Sequence, residues 1–369
     1  MNINNMSNRN TIIKPTPFQT LKNLPKPFSQ TQCVQHKHEI LVCGGVSERD
    51  CYSYHTLKNE YKFICEYPSD VTLVGHCVLK WVDKSSKDSN EITLLSFGGN
   101  AYTKRHTLVM KYVSVWDDNN EMNKLKKTNN CNEWVPFTDN DNNPIQIGRN
   151  LDDYQGMRAV IGGSNNHLLF ITFYLNNISV FDLNTFQFIK HDTLPTNDPM
   201  YYHCFVSKSE NEQEAMKQII KKNKIKKKKN EMLLFKHRTG LLIKYDEIDN
   251  TFQFHKLPVC KGIAPSNEYA YVCINDVILF FGPNALKKSY KYAIQNKKWI
   301  KFKYTLPIPL YDCFGISNEH DTYIHIIGGS NRKDKPTNEI QLVIQYWIRI
   351  SKIKLGWIHD FNKIIIASV

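Results

Sequence analysis

The chain has 369 residues, of which 41% are hydrophobic and 22% charged, so it can bury a sizeable core and is not a disordered chain. Its formal net charge of +13 would favour nucleic acid or an anionic membrane surface as a partner. Much of this excess comes from the lysines between Lys217 and Lys229, so we assign it to a loop at residues 208–230 and expect no nucleic-acid partner.

The beginning of the chain is polar and rich in asparagine. Residues 1–15 lack the apolar core of a signal peptide and are expected to form a disordered tail. No apolar run approaches the ~18 residues of a membrane span, so no span is expected. The ten cysteines are then expected to be thiols of a cytoplasmic protein, because disulfides rarely persist in the cytosol.

From residue 16 onwards one composite pattern recurs along the chain. Each copy begins with a dipeptide ending in proline, followed by a short strand with a cysteine and then by an apolar strand. The apolar strands often end in paired glycines, as in Ile40–Gly45, Leu94–Gly99, Ile324–Gly329 and the degenerate Val277–Gly282. In the third copy Tyr174 and Leu175 stand where the glycine pair is expected.

Two further strands complete each copy. The third strand carries an aromatic residue near its end, namely Tyr54, Tyr112, Phe181, Tyr245 or Tyr292. The fourth opens with asparagine and has an aromatic residue two or three positions later, as in Asn59 with Tyr61, Asn132 with Trp134, Asn184 with Phe186, Asn250 with Phe252, and Asn296 with Trp299. Four short strands per copy, joined by turns, predict the blades of a β-propeller.

The combination of an apolar strand, a double glycine, a tyrosine and a later tryptophan resembles the Kelch repeat family. Tyr292 and Trp299 have the spacing of that family's tyrosine and tryptophan. The resemblance implies an all-β fold, a six-bladed Kelch-type β-propeller over residues 16–333. It also implies a structural motif made of Gly44, Gly45, Tyr54, Gly98, Gly99, Tyr112, Trp134, Tyr245, Gly282, Tyr292, Trp299, Gly328 and Gly329.

The two ends of the repeat region suggest how the ring closes. Phe18–Pro25 is similar to the fourth-strand segment Phe252–Pro258, so we expect residues 16–23 to supply the last strand of the final blade. Residues 334–369 place apolar side chains at helical spacing and predict a short C-terminal helical hairpin. The alternative is that Ile340–Tyr346 forms the missing strand of that blade.

Two groups of residues invite a chemical interpretation. Cys33, His36, His38 and Cys43 could bind zinc, but cysteine recurs at the same first-strand position in Cys77, Cys204, Cys273 and Cys313, which favours core packing. The pairs His76-Cys77 and His203-Cys204 could suggest a nucleophile and its base. Adjacent residues on a strand point to opposite faces, however, so we expect no catalytic residue, no metal and no cofactor.

The lysine run at Lys226, Lys227, Lys228 and Lys229 is interpreted as part of a solvated loop, with contact to an anionic partner as the alternative. The expected function is non-catalytic binding of an unidentified protein partner on one rim of a monomeric propeller. One alternative is a substrate-recruiting adaptor of a ubiquitin ligase. The other is a galactose-oxidase-like or other rim-site enzyme, for which the sequence offers no matching ligand set.

Overall fold

The computed structural model describes residues 18–81, 91–100, 103–117, 131–149, 151–208, 230–263, 269–281, 288–305, 311–318, 323–330 and 340–343. All regular secondary structure in these ranges is β-strand. Within the same ranges, no helix is long and apolar enough to cross a membrane.

The strands form six four-stranded antiparallel sheets, five of which use four consecutive strands and are called blades 1 to 5. Strand β1 (Phe18–Thr20) precedes them. Blade 1 contains β2 (Gln32–His36), β3 (Glu39–Gly45), β4 (Glu48–His55) and β5 (Glu60–Glu66). Blade 2 contains β6 (Cys77–Trp81), β7 (Glu91–Gly98), β8 (His106–Val113) and β9 (Val135–Pro136). Blade 3 contains β10 (Arg158–Gly162), β11 (Leu168–Phe173), β12 (Asn177–Asp182) and β13 (Gln187–Thr193).

Blade 4 contains β14 (Cys204–Ser207), β15 (Asn230–Lys236), β16 (Thr239–Asp246) and β17 (Thr251–Lys256). Blade 5 contains β18 (Ala270–Ile274), β19 (Val277–Phe281), β20 (Lys288–Ala293) and β21 (Lys298–Thr305). The last strands are β22 (Phe314–Ser317), β23 (Ile324–Ile327) and β24 (Ile340–Val343). They join β1 in a composite sheet of order β1-β24-β23-β22.

The composite sheet confirms that the N-terminal segment closes the ring. Strand β1 pairs antiparallel with β24, with Phe18 opposite Val343 and Thr20 opposite Gln341. The chain then continues into blade 1, where the Lys22 backbone N–H donates to Asn59 Oδ1 at 3.1 Å. Strand β1 and its continuation therefore tie the composite sheet to blade 1.

Two expectations from the sequence need correction. A six-bladed propeller was expected, with residues 16–23 in its last blade, whereas the structure has five blades of consecutive strands and a composite sheet assembled from both ends of the repeat region. The C-terminal helix is not supported, because Ile340–Val343 form β24 with hydrogen-bonded neighbours on both sides. Strand β24 lies beyond the predicted end of the propeller at residue 333, and residues 344–369 lie outside the described residues.

The first strand of each sheet faces the centre of a ring. Strands β2, β6, β10 and β14 contact one another in sequence, as do β18 with β22 and β22 with β2. Strands β14 and β18 border one shared core cluster, which contains Cys204 and Val206 and packs against Tyr271 and Cys273. We call the end of the ring at which these innermost strands begin the top face. Because the strands alternate in direction, turns between second and third strands also lie on the top face.

The hydrophobic core lies between neighbouring sheets rather than within any one of them. Leu41 of blade 1 and Leu94 of blade 2 belong to one buried cluster, and Phe97 of blade 2 belongs to the next cluster with Phe173 of blade 3. Each fully buried side chain of this size contributes about 1.5–3 kcal/mol of transfer free energy. A blade is therefore stabilised by its neighbours on both sides.

Burial differs between the second and fourth strands, and the sequence follows this difference. Strands β3 and β11 are buried along their whole length, because another sheet covers each of their faces. Strand β13 lies at the outer edge of its sheet and alternates between exposed and half-buried residues. This explains why the second strands read as uninterrupted apolar runs.

Candidate functional site

The double glycines lie at the ends of second strands, where neighbouring backbone passes very close. A Cβ atom on Gly45 would lie 2.6 Å from the carbonyl oxygen of Ser29, and one on Gly328 would lie 2.7 Å from that of Phe28. The backbone N–H of Gly329 donates to Phe28 O at 2.7 Å. Close neighbouring atoms likewise leave no room for a Cβ atom at Gly44, Gly98 and Gly99. These described glycines therefore serve packing between strands and connections.

Two of the motif tyrosines each form the same kind of hydrogen bond, with an asparagine five residues later, which the sequence analysis did not predict. The buried Tyr54 donates its hydroxyl to Asn59 Oδ1 at 2.9 Å, and Tyr245 donates to Asn250 Oδ1 at 2.8 Å. Both asparagines have left-handed backbone, with φ of 53° and 50°. The bond therefore fixes the turn between the third and fourth strands in blades 1 and 4.

In blade 2 the motif residues bond to blade 1 instead. The Tyr112 hydroxyl donates to the buried carboxylate of Glu39. The Trp134 indole N–H donates to Cys51 Sγ at 3.3 Å, and its ring stacks on Tyr67 with centroids 4.7 Å apart. These contacts cross the boundary between the two blades and hold them together.

In blade 5 the pair Tyr292 and Trp299 lies against blade 4. Their ring centroids are 5.1 Å apart, and both rings pack on Phe235. The Trp299 indole N–H donates to the carbonyl oxygen of Pro258 at 2.7 Å. These contacts place the pair at the boundary between blades 4 and 5.

The four residues weighed as a zinc site do not converge. Cys33 lies in the core cluster shared with the composite sheet, whereas Cys43 lies in the cluster shared with blade 2. His36 is buried against Tyr112, and His38 is exposed. Among the described residues, no group of three or more histidine, cysteine or acidic side chains is arranged to hold a metal ion.

The two histidine–cysteine pairs have the same structural role. His76 is buried and donates from Nε2 to the carbonyl oxygen of Cys43 in the preceding blade, at 3.0 Å. His203 is buried, with its Nε2 2.6 Å from Thr172 Oγ1, again in the preceding blade. Burial is the main cause that lowers the pKa of both imidazoles. Each histidine therefore ties its blade to the previous one in its neutral form.

Three of the recurring first-strand cysteines, Cys77, Cys204 and Cys313, are buried in the packing between blades. Burial raises the pKa of Cys77 to about 11 and that of Cys313 to about 12. Burial also raises the pKa of Cys204 well above its usual range. Because the thiolate is the nucleophilic form, these side chains are poor nucleophiles at neutral pH.

A repeated backbone feature surrounds the central channel at the top face. Left-handed residues stand two positions before an innermost strand at Gln30, Gly75, Gly156, Tyr202 and Asp312, with φ between 50° and 66°. Their backbones are hydrogen-bonded around the ring: Gln30 N donates to Asp312 O, Gly156 N to Gly75 O, and Tyr202 N to Gly156 O, at 3.0, 2.9 and 2.6 Å. These bonds link successive connections and narrow the channel mouth.

One cation lies at this mouth. Arg158 opens strand β10, and its guanidinium lies 5.9 Å from the ring centroid of Tyr202. It lines a cavity of about 20 Å³ together with Gln30 and Asp312, which is room for about one water molecule. Its positive charge adds to burial in lowering the pKa of His203. This cavity at the channel mouth therefore brings the Arg158 cation and the Asp312 carboxylate together in a space that holds about one water molecule.

A larger groove lies on the top face between blades 3 and 4. Its volume is about 310 Å³. The buried Leu241 and Leu257 line it together with Thr196, which lies 2.5 Å from Thr239 between the hydroxyl oxygens. The other lining residues are Pro195, Asn197, Arg238, Gly240 and Lys256. Arg238 and Lys256 are exposed, and neither forms an ion pair within the part of the chain that the structure describes.

The sequence analysis did not predict this groove. Some residues that it did name lie in parts of the chain that the structure does not describe. Gly282 and the four lysines Lys226–Lys229 lie outside the described residues. The groove combines three separate chain segments, so no single motif marks it. The one local signal was the replacement of the glycine pair by Tyr174 and Leu175, which stand on the top face beside the groove segment at Thr196.

Comparison with known proteins identifies the architecture. No protein-family model matches the sequence, and no curated protein matches it either. The solved "Structure of YjhT" is similar over 87% of this chain and 95% of that chain, with 13% identity and a TM-score of 0.53. The "Crystal Structure of Mitotic Checkpoint Complex" is similar over 93% and 99%, with 8% identity and a TM-score of 0.46. The ring of antiparallel sheets, with the first of these likenesses, defines a β-propeller.

Proposed function

We propose that the protein is a non-catalytic β-propeller of the Kelch type that binds a protein partner on its top face. The composite sheet serves as the sixth blade of this ring. The double glycines and the tyrosine–asparagine bonds of blades 1 and 4 support the Kelch assignment. The ten cysteines, all free thiols, support a cytoplasmic location.

The groove between blades 3 and 4 is the observation that carries this function. It is open and lies on loops that a rigid scaffold holds in place, and its exposed cations form no ion pair within the described residues. The acidic side chain beside it, Asp198, accepts a hydrogen bond from Thr239 Oγ1 at 2.7 Å. Binding sites concentrate on such loops, because the packed sheets fix their positions. The His76 and His203 side chains form hydrogen bonds between blades, and the neighbouring Cys77 and Cys204 lie in buried apolar clusters. No described residue favours the ligase-adaptor or the oxidase alternative.

Site-specific photo-cross-linking tests the proposed face. A photoreactive amino acid replaces Asn197, which is exposed in the groove, or Asn184, which is exposed in a turn at the opposite end of the ring. We expect the full chain to form a specific cross-linked product with a cytosolic protein from position 197 and not from position 184. Equal products from both positions, or a product from position 184 alone, would overturn the assignment of the face.

A further inference from the structure

The turn between the second and third strands of blade 3 carries a costly residue. Leu175 and Asn176 both have a φ of 62° there, in the left-handed region. Asparagine tolerates this conformation, but a leucine does so only with strain. In the corresponding turns of blade 1 and the composite sheet, left-handed glycines occur at Gly44 and Gly328.

Packing within the protein does not explain the leucine. Leu175 is 66% exposed and Tyr174 is 39% exposed. The contacts that fix the turn come from Asn176. Its side-chain amide nitrogen donates to the backbone oxygen of Thr196, and its backbone carbonyl oxygen accepts from Leu194 N. A glycine at position 175 would keep those contacts and remove the strain. An exposed apolar side chain held in a strained conformation points to a role outside the fold.

The strained turn is connected to the basic groove. The residue that Asn176 contacts, Thr196, lines that groove. The surface therefore presents Leu175 as an apolar tip and a floor with Leu241 and Leu257. Its charged groups are the exposed cations Arg238 and Lys256 and one carboxylate, Asp198, which accepts from Thr239 Oγ1, so the two cations outnumber it. A ligand that complements it needs negative charge for the cations and an apolar group for the tip.

We propose that this turn and the groove form one docking surface for an extended acidic segment of a partner protein. Carboxylate side chains of the segment pair with Arg238 and Lys256, and an apolar side chain beside them packs on Leu175. Charge complementarity identifies the occupant, because neither cation forms an ion pair within the described residues and a basic segment would be repelled by both of them. This inference rests on the proposed partner binding at the top face and specifies its chemistry.

Selection from a displayed library of random dodecapeptides, with the full chain as bait, tests the proposal. We expect the enriched peptides to combine aspartate or glutamate with a large apolar residue. The double variant Arg238→Glu/Lys256→Glu should weaken their binding at least about tenfold. The matched control Lys297→Glu/Lys298→Glu makes the same charge change at exposed positions at the opposite end of the ring and should leave binding unchanged.

Substitution of Leu175 tests its role, because peptide binding and the melting temperature should respond differently. Leu175→Gly should weaken binding about tenfold while the melting temperature stays equal or rises, because glycine adopts the left-handed conformation without strain. The control Leu57→Gly removes another exposed leucine, in a turn at the opposite end of the ring. It should not affect peptide binding.

The outcomes separate this inference from the proposed function. Peptides that bind the groove variants as well as the original chain would overturn the docking surface and leave partner binding at the top face intact. Enrichment of neutral or basic peptides, or of none, would overturn the acidic segment. Loss of the cross-link from position 197 would instead overturn the proposed face itself.

Discussion

Three buried histidines should make the stability of this propeller fall steeply under mild acid. Burial lowers the pKa of His76 from its usual 6.5 to about 4, that of His106 to about 3 and that of His325 to about 4. All three side chains are at most 5% exposed. Each imidazole is therefore neutral in the folded protein at a pH where the unfolded chain already binds the proton.

The sign and size of the effect follow from this difference in pKa. Below pH 6.5 the unfolded chain holds more protons than the folded one, so the free energy of unfolding decreases as the pH falls towards 4. The stability is fully present above pH 6.5. Between pH 7 and pH 5 each histidine should remove about 2 kcal/mol from the free energy of unfolding, or about 6 kcal/mol for the three. That loss is comparable to the whole stability of many domains, about 5–15 kcal/mol.

Urea unfolding of the full chain at pH 7 and pH 5 measures the effect, and one substitution isolates it. In His325→Gln the free energy of unfolding should fall by about 2 kcal/mol less over this interval than in the original chain. His255 is an exposed histidine, and His255→Gln serves as the matched control that should leave the interval unchanged. An identical fall in the original chain and in His325→Gln would refute the reasoning.

Three further predictions concern the ring. Deleting residues 1–24 removes β1 and should lower the melting temperature sharply; an unchanged melt would refute closure by this strand. Gly75→Ala should destabilise the fold, because its Cβ would lie 2.2 Å from Gly156 N, and thermal unfolding at an unchanged midpoint would contradict that close contact. Tyr245→Phe removes the hydrogen bond to Asn250 and should lower the free energy of unfolding, measured with urea, by about 1 kcal/mol. A change near zero would show that this bond makes no net contribution to stability.

The sequence was sufficient to predict the repeat because each blade needs the same local chemistry. The apolar run Ile40–Gly45 lies in strand β3, and the aromatic residue Tyr245 lies in strand β16, as expected. Closure of the ring by the N-terminal segment could also be predicted, because the sequence of that segment resembles the fourth strand of another repeat. These features depend on burial patterns and turns that are encoded within a few residues.

Other features depend on neighbours that lie far away along the chain. The apolar spacing of Ile340 and Val343 fits a helix, but β23 and β1 supply hydrogen-bond partners on both sides of this segment. That pairing is made with strands far away along the chain, so the local spacing of the segment did not reveal it. In blade 3, Gly162 ends the first strand and Gly163 lies in the turn after it, so that glycine pair serves a different turn. The groove joins three segments, and only the packing of blades 3 and 4 brings them together.

The composite sheet also determines when the ring can be completed during synthesis. Strand β1 emerges from the ribosome first, ending at Thr20, yet its partner β24 begins only at Ile340. Blades 1 to 5 are therefore produced before the sheet that joins them can form, and their boundary strands wait without a neighbour. Such a long-range pairing is slow, and the unjoined edges are exposed to association with other chains in the meantime. Among the described strands, the risk of aggregation of the nascent chain is accordingly greatest just before β24 is synthesised.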